Sequence, residues 1–285
     1  MVREFKLINE KGQEYSLMDI HRYCLLTEPT GLGYSYLAEH EQLGNTFITN
    51  LRKIEKGQIS GLVNFLNYDN YKKLIDFIES SEKLKFCYKI PSKDKIIRTY
   101  FKDIEIQSIS KTEIQRNSIL SETVTFDCLS LWYEKNTFIH NMKKSEGVIN
   151  WDFKWDSRFA NYNKRSVEYI NEGHTEAPVV IKIKGPVINP KIQLYIEGEL
   201  LQEVPFKINI QEYEELQYGT KENDFYLNVK RTDGRIESLF KLDVIEFEND
   251  NVIRLPKNKS CELRIIADNE ILNAEVTIFS YYKAV

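Results

Sequence analysis

Apolar and polar side chains alternate with period two along most of this chain, and a helical period replaces that alternation once. In Asn67–Ser80, Tyr71, Leu74, Ile75 and Ile78 fall at i, i+3, i+4 and i+7. Asp69, Lys72, Lys73, Asp76 and Glu79 fill the remaining faces, and Asn67 or Asp69 can cap the first turn. The spacing therefore predicts one amphipathic helix, which must lay its stripe on something because a lone helix of this length is marginal in water. The surrounding stretch, Leu51–Tyr133, supplies the sheet. Phe47–Phe65 reads as one long strand bent at Gly57 and Gly61. Leu84, Phe86, Tyr88 and Ile90 point opposite to Lys83, Lys85 and Lys89. Ile96–Ile109 returns antiparallel, Ser110–Ile119 forms a polar tip, and Leu120–Ser130 runs back with Val124, Phe126 and Cys128 inward. These elements predict a small α+β barrel covered or plugged by the helix, not a parallel sheet.

Before this stretch, Phe5 and Leu7, the turn Asn9–Gly12, and Tyr15 and Leu17 make a hairpin, and His21–Thr27 reads as a further strand. Glu28–Asn45 interrupts the alternation with Pro29, Gly31, Gly33 and Gly44 and reads as a loop carrying Tyr34, Tyr36 and Leu37. Its tyrosines either fold back on the barrel or form a contact surface, the usual meaning of exposed apolar area. Gly31, Leu32, Gly33, Tyr34 and Tyr36 are the candidate partner-interface residues. After the barrel, Leu131–Glu172 crowds Trp132, Tyr133, Trp151, Phe153, Trp155, Phe159, Tyr162 and Tyr169 with little alternation. Packing between domains is the commoner use of such residues; a sugar-stacking platform on Trp151 and Trp155 is the alternative. From Val179 onward about eight short strands follow at regular spacing, among them Val204–Ile210, Val244–Phe247 and the pair around Asp233-Gly234, which predicts a sandwich. The expected organisation is a barrel domain over 1–135 with its helix at 67–80, an aromatic connector over 136–172, and a β-sandwich over 173–285.

A length of 285 residues suits two cores better than one. Seventeen Tyr and fifteen Phe fit a β-rich chain. A net charge of −4 leaves no basic footprint for nucleic acid. There is no apolar run of about 18 residues for a membrane span, and the first residues lack a secretory core. Cys24, Cys87, Cys128 and Cys261 are far apart, which favours buried thiols over a disulfide framework or a zinc site. His21, His40, His140 and His174 are scattered without a partner at ligand spacing. Glu246, Glu248 and Asp250 could face a calcium ion, but three carboxylates fall short of its roughly 6–8 oxygens, and a wet strand face opposite Ile245 and Phe247 is the simpler reading. Nucleophile-elbow, phosphate-loop, zincin and EF-hand patterns are all missing from the sequence. The expectation is a binding or structural protein with no cofactor, no metal and no catalytic residues.

Ordered along the chain are Phe5-x-Leu7-x-Asn9-x-x-Gly12, Gly31-Leu32-Gly33, Gly57-Gln58-Ile59-Ser60-Gly61 with Phe65, and Tyr68…Tyr71…Phe77-Ile78. Leu84…Tyr88, Arg98 and Phe126-x-Cys128-x-Ser130-x-Trp132-Tyr133 follow. Later come Asn171-x-Gly173, Pro178, Ile183-x-Gly185-x-Val187-x-Asn189-Pro190, Asp233-Gly234 and Leu255-Pro256. In this order they resemble the siphophage distal tail protein family, the tail-tip hub of long non-contractile tails; only the connector Ile149–Tyr169 departs, matching in texture alone. The resemblance implies a split N-terminal β-barrel that closes into a homo-hexameric ring and a galectin-like C-terminal β-sandwich. It further implies a tail tube protein above, a tail-associated hub protein below, receptor-binding proteins at the rim, and DNA passing through the lumen without specific binding. The implied place is the virion tail tip, after synthesis in the bacterial host cytoplasm. A carbohydrate-binding role of the sandwich in host adhesion is the alternative that the same resemblance carries.

Overall fold

The structure, a computed structural model, describes residues 3–91, 97–112, 115–116, 119–141, 164–222, 224–241, 252–269 and 273–285. It is mostly β with one helix, and it divides into two compact units, Met1–Glu134 with Tyr281–Val285, and Lys135–Ser280. Residues 281–285 thus belong to the first unit. The strand Lys164–Ile170, inside the span expected as a connector, belongs to the second.

The first unit contains β1 (Glu4–Asn9), β2 (Glu14–Ser16), β3 (Leu25–Thr30), β4 (Tyr36–Leu43), β5 (Thr46–Ile54) and β6 (Gln58–Phe65). After α1 (Tyr68–Glu79) come β7 (Leu84–Pro91), β8 (Ile97–Ile109), β9 (Gln115–Arg116), β10 (Ile119–Cys128) and β11 (Trp132–Asn141), whose first residues lie in this unit. The main sheet runs β2-β1-β7-β8-β10-β6-β3, all antiparallel. Among the described residues its two ends approach around the isolated bridge Met18↔Leu25, where the Leu26 N–H donates to the Leu17 carbonyl at 2.8 Å and the Asp19 N–H to the Cys24 carbonyl at 3.1 Å. The sheet is otherwise open, as the split barrel implied by the resemblance requires. The strand expected at His21–Thr27 starts only at Leu25, because Asp19 holds a turn before it: its Oδ1 accepts from the His21 and Arg22 N–H groups, both at 3.2 Å.

The helix occupies the predicted span. Asn67 caps it, accepting from the Asn70 N–H at 2.9 Å, and Ser80 ends it. Leu74 is 1% exposed, and Tyr71, Phe77 and Ile78 pack against the same core. Phe77, not Ile75, completes the stripe, against Tyr15 with ring centroids 5.4 Å apart. Inside the sheet, Phe5 stacks on Tyr88 at 4.9 Å, and Phe86 meets Phe126 and Trp132 at 5.7 and 6.2 Å.

One cation lies in this core. Lys102 is 4% exposed, its Nζ sits 4.8 Å over the Trp132 ring, and its nearest polar partner is the Cys128 thiol. Desolvation holds its pKa below the ordinary lysine value. A depressed lysine pKa means the unfolded chain binds more protons here, so this residue's contribution to stability rises as pH climbs through the folded pKa.

The second unit continues with β12 (Lys164–Ile170), β13 (Ala177–Lys184), β14 (Val187–Ile188), β15 (Lys191–Ile196), β16 (Glu199–Pro205) and β17 (Asn209–Ile210). Next are β18 (Glu215–Lys221), β19 (Asp224–Lys230), β20 (Ile236–Ser238), β21 (Arg254–Leu255), β22 (Ser260–Ile266) and β23 (Asn273–Tyr282), which ends in the first unit. One sheet has the order β12-β22-β15-β16 and the other β23-β13-β18-β19-β20. Val179, Ile181 and Ile183 from one, and Ile192, Leu194, Leu263 and Ile265 from the other, meet in a single core. Val204–Ile210, expected as one strand, is two, because Phe206 turns inward between them and its N–H reaches the Pro190 carbonyl at 2.9 Å. The strand expected at Val244–Phe247 lies outside the described residues. Asn171, fully buried, joins three segments: its Nδ2 donates to the Thr175 and Leu255 carbonyls at 2.8 and 3.1 Å, and its Oδ1 accepts from the Gly173 N–H at 3.0 Å.

Leu74→Ala removes a buried side chain from the helix stripe and should lower stability by about 2–5 kcal/mol in urea unfolding. Lys102→Met should raise stability near neutral pH by about 1–3 kcal/mol by removing an ammonium whose burial costs more desolvation than the Cys128 thiol and the Trp132 ring return. Its advantage over wild type should shrink as pH is raised toward about 10.4, the unperturbed lysine value.

Candidate assembly interface

The interface candidates Gly31, Leu32, Gly33, Tyr34 and Tyr36 fall between β3 and β4, and the structure divides them by role. Gly31 has φ +76°, and a Cβ there would lie 1.7 Å from the Gln58 carbonyl oxygen. Only glycine combines that backbone with so close an approach. Leu32 leans on the core, and its carbonyl accepts the indole N–H of the fully buried Trp132 at 2.9 Å. These two residues anchor the segment. Gly33 has open space where a side chain would project. Tyr34, 49% exposed, meets Tyr36 edge-on at 5.3 Å. Tyr36 carries Arg52 over its ring at 3.9 Å and accepts at its hydroxyl from Lys283 Nζ at 3.0 Å. That ammonium lowers the phenol's pKa.

Beyond Tyr36 the structure departs from the sequence reading. The expected loop to Asn45 contains β4, and the expected long strand Phe47–Phe65 is two strands, β5 and β6, separated at 55–57. Among the described residues β4 and β5 pair only with each other, from Tyr36↔Ile54 to Leu43↔Thr46, with Asn50 as the extra residue of a bulge. Gly44, at φ +62°, opens the two-residue turn, where a hairpin favours glycine. Every residue from Leu37 to Lys53 is exposed.

Directly paired residues share a face, so the register sorts the side chains. One face carries Leu37, Leu43, Ile48 and Leu51 with Glu39, Glu41, Thr46 and Lys53. Asn50 Nδ2 donates to Glu41 on that side at 3.1 Å. The reverse face carries Tyr36, Ala38, His40, Gln42, Phe47, Thr49, Arg52 and Ile54. Sequence reasoning placed Leu37 in the exposed loop and missed Leu43, Ile48 and Leu51 as members of one face. Their signal is Gly44-Asn45 between two runs of strand character, obscured by Pro29, Gly31 and Gly33 just upstream.

The remaining candidates are quickly placed. Trp151 and Trp155, the sugar-stacking pair, and Glu246, Glu248 and Asp250, the calcium alternative, lie outside the described residues. Among the described residues no group of three or more His, Cys, Asp or Glu side chains converges as a metal site. Cys24, Cys87, Cys128 and Cys261 are buried free thiols; burial pushes Cys24 up to about 12 and Cys87 to about 11. No helix among the described residues is long and apolar enough to cross a membrane.

Comparison with known proteins matches residues 4–129, nearly all of the main-sheet unit, to the family model for the distal tail protein, N-terminal domain. These residues belong to the distal tail protein family. Over the full chain the fold is similar to a chain of the phage P2 baseplate in its activated conformation with Ca, at 17% identity and TM-score 0.66, covering all of both chains. It is also similar to the SPP1 Dit protein, at 10% identity and TM-score 0.56, covering 97% of this chain and 98% of that one. The latter is described as a paradigm of the hub adsorption apparatus in phages that infect Gram-positive hosts. No curated protein sequence matches the chain. The distal tail domain therefore includes β1 to β10, and the exposed β4–β5 hairpin is an integral part of it. The role is that of a structural phage tail protein.

Gly31→Ala places a methyl group against the Gln58 carbonyl in a left-handed backbone. It should cost about 1–3 kcal/mol, measured as a lowered midpoint in chemical unfolding monitored by Trp fluorescence.

Proposed function

We propose that this chain is the ring-forming hub of a siphovirus-like tail tip, in which copies close around an opening and join the tail tube to the apparatus below. The observation that carries this reading is the distal tail domain at residues 4–129 together with its hairpin, whose apolar side chains are left exposed among the described residues. Exposed Leu43 (64%) and Phe47 (71%) on a two-stranded ribbon belong to a contact, since such ribbons are marginal alone. Copies that meet through unlike surfaces form rings where the rotation between them closes, and the two faces of the hairpin are unlike. Six copies, a tail tube protein on one side, a tail-associated hub protein on the other and receptor-binding proteins at the rim complete the proposed assembly. DNA passes through the opening without specific binding. The protein acts at the virion tail tip after synthesis in the host cytoplasm, and its role is mechanical, without a catalytic group.

Purified protein should elute as a discrete oligomer in size exclusion with light scattering and show rings with a central hole by negative-stain microscopy. A single monomeric species at high concentration in both measurements would overturn the reading.

A further inference from the structure

Two cations from distant parts of the chain meet at Tyr36, the first residue of the β4–β5 hairpin. Arg52, from β5, lies 3.9 Å over the ring centroid. Lys283 Nζ lies 5.5 Å from the same centroid and donates to the Tyr36 hydroxyl at 3.0 Å. We propose that Lys283 is a positioning residue, which clasps the base of the hairpin through Tyr36 and holds the ribbon in one direction relative to the main sheet of its own unit. The proposal goes beyond the hub reading and stands without it, since it concerns a single copy of the chain.

The backbone anchors at the root stop short of the ribbon. The Gly31 backbone lies on Gln58, and the Trp132 indole holds the Leu32 carbonyl. The Glu55 N–H donates to the Ser35 carbonyl at 3.0 Å, and Ser35 Oγ donates to Glu55 Oε2 at 2.9 Å. Beyond Ser35 and Glu55, β4 and β5 pair only with each other among the described residues. Two strands joined to the body at one level are free to swing about the line between their attachment points. A contact on one face, just past that line, opposes the swing. Tyr36 and Arg52 share the reverse face of the hairpin, so Lys283 supports that face. Because Arg52 comes from β5, the Tyr36 ring ties both strands to the same ammonium.

Lys283 is held for this task by its neighbours. Tyr281 meets Tyr133 with ring centroids 5.6 Å apart. Tyr282 is buried edge-on against Tyr100 at 5.4 Å, and its hydroxyl donates to Glu134 at 3.4 Å. Val285 packs on the same core, and the segment Tyr281–Val285 belongs to the unit that contains Tyr36. With residues fixed on both sides, the lysine gives up little further backbone freedom on reaching the ring, so the contact keeps most of its energy. The cation–π attraction and the hydrogen bond then act on one side chain. The two partners are 247 positions apart, and no local pattern joins them.

The test uses the full-length protein with spin labels at Asn45→Cys, in the hairpin turn, and Lys72→Cys, on α1. The four native thiols are buried, and labelled copies are diluted in excess unlabelled protein so that every measured pair lies within one chain. Pulsed electron resonance should give one main distance in wild type and in Lys283→Arg, which keeps a cation and a donor. In Lys283→Met the fraction of pairs outside that peak should rise about two- to fivefold, the factor that an exposed cation–π contact sets. Tyr36→Leu, the second variant, should rise as much, and circular dichroism reports that both remain folded. In protein whose tyrosines carry an isotope label at Cζ, the resonance lost in Tyr36→Leu should titrate below ordinary tyrosine in wild type and closer to it in Lys283→Met. A folded Lys283→Met with the wild-type distance distribution would overturn the proposal. So would a broadening that Lys283→Arg fails to reverse, which would assign the effect to lost packing. Light scattering reads the hub reading separately: copies that never assemble would remove that reading and leave the distances unchanged.

Discussion

A two-stranded antiparallel ribbon has two faces and no second layer, so it cannot shield its own apolar side chains from water. In this protein that limit governs the hairpin Tyr36–Ile54, where four aliphatic residues line up on one side and an aromatic pair, Tyr36 and Phe47, occupies the other. Elsewhere in the first unit the same sheet chemistry ends in a filled core, with Leu7, Phe65, Phe86 and Trp132 fully buried. The domain thus combines a filled body with an arm whose apolar side chains stay exposed among the described residues.

The arm is useful only because its root is rigid. Three unrelated parts of the chain converge there: the β3–β4 segment through Gly31 and Leu32, β6 through Gln58, and β11 through Trp132. Trp132 is central to this convergence, since one ring closes the aromatic cluster with Phe86 and Tyr88 and its N–H fixes the arm's base. A buried indole needs a partner for that N–H, and the partner it finds is the carbonyl that orients the arm. Core packing and the orientation of the arm's base are thus coupled through one side chain.

The second unit has a filled core of its own. Both of its sheets contribute to that core, and buried polar groups such as Asn171 and Thr220 are bonded within it, although Arg254 Nε and Arg264 Nε are buried without a partner among the described residues. Glu214, nearly buried, accepts from both the Gln211 N–H and Arg231.

The helix and its cap at Asn67, the β-rich character, the antiparallel run from β7 through β10 and the two-core organisation were all legible locally. Each depends on residues close in sequence: periodicity, a cap within three positions, turn residues between strands. Sequence did not separate β5 from β6, because strand character continues through Gly57 and only pairing decides which sheet a strand joins. The split barrel came from the family resemblance, since alternation is the same in a closed barrel and in one whose ends meet around the bridge between Met18 and Leu25. Sequence reasoning placed Gly31, Leu32, Gly33, Tyr34 and Tyr36 together as a surface, whereas the fold makes Gly31 and Leu32 anchors and leaves the aliphatic face to Leu37, Leu43, Ile48 and Leu51. Identity of the elements was set by short-range chemistry. Which surfaces are covered was set by contacts between residues as far apart as Leu32 and Trp132, which no local pattern encodes.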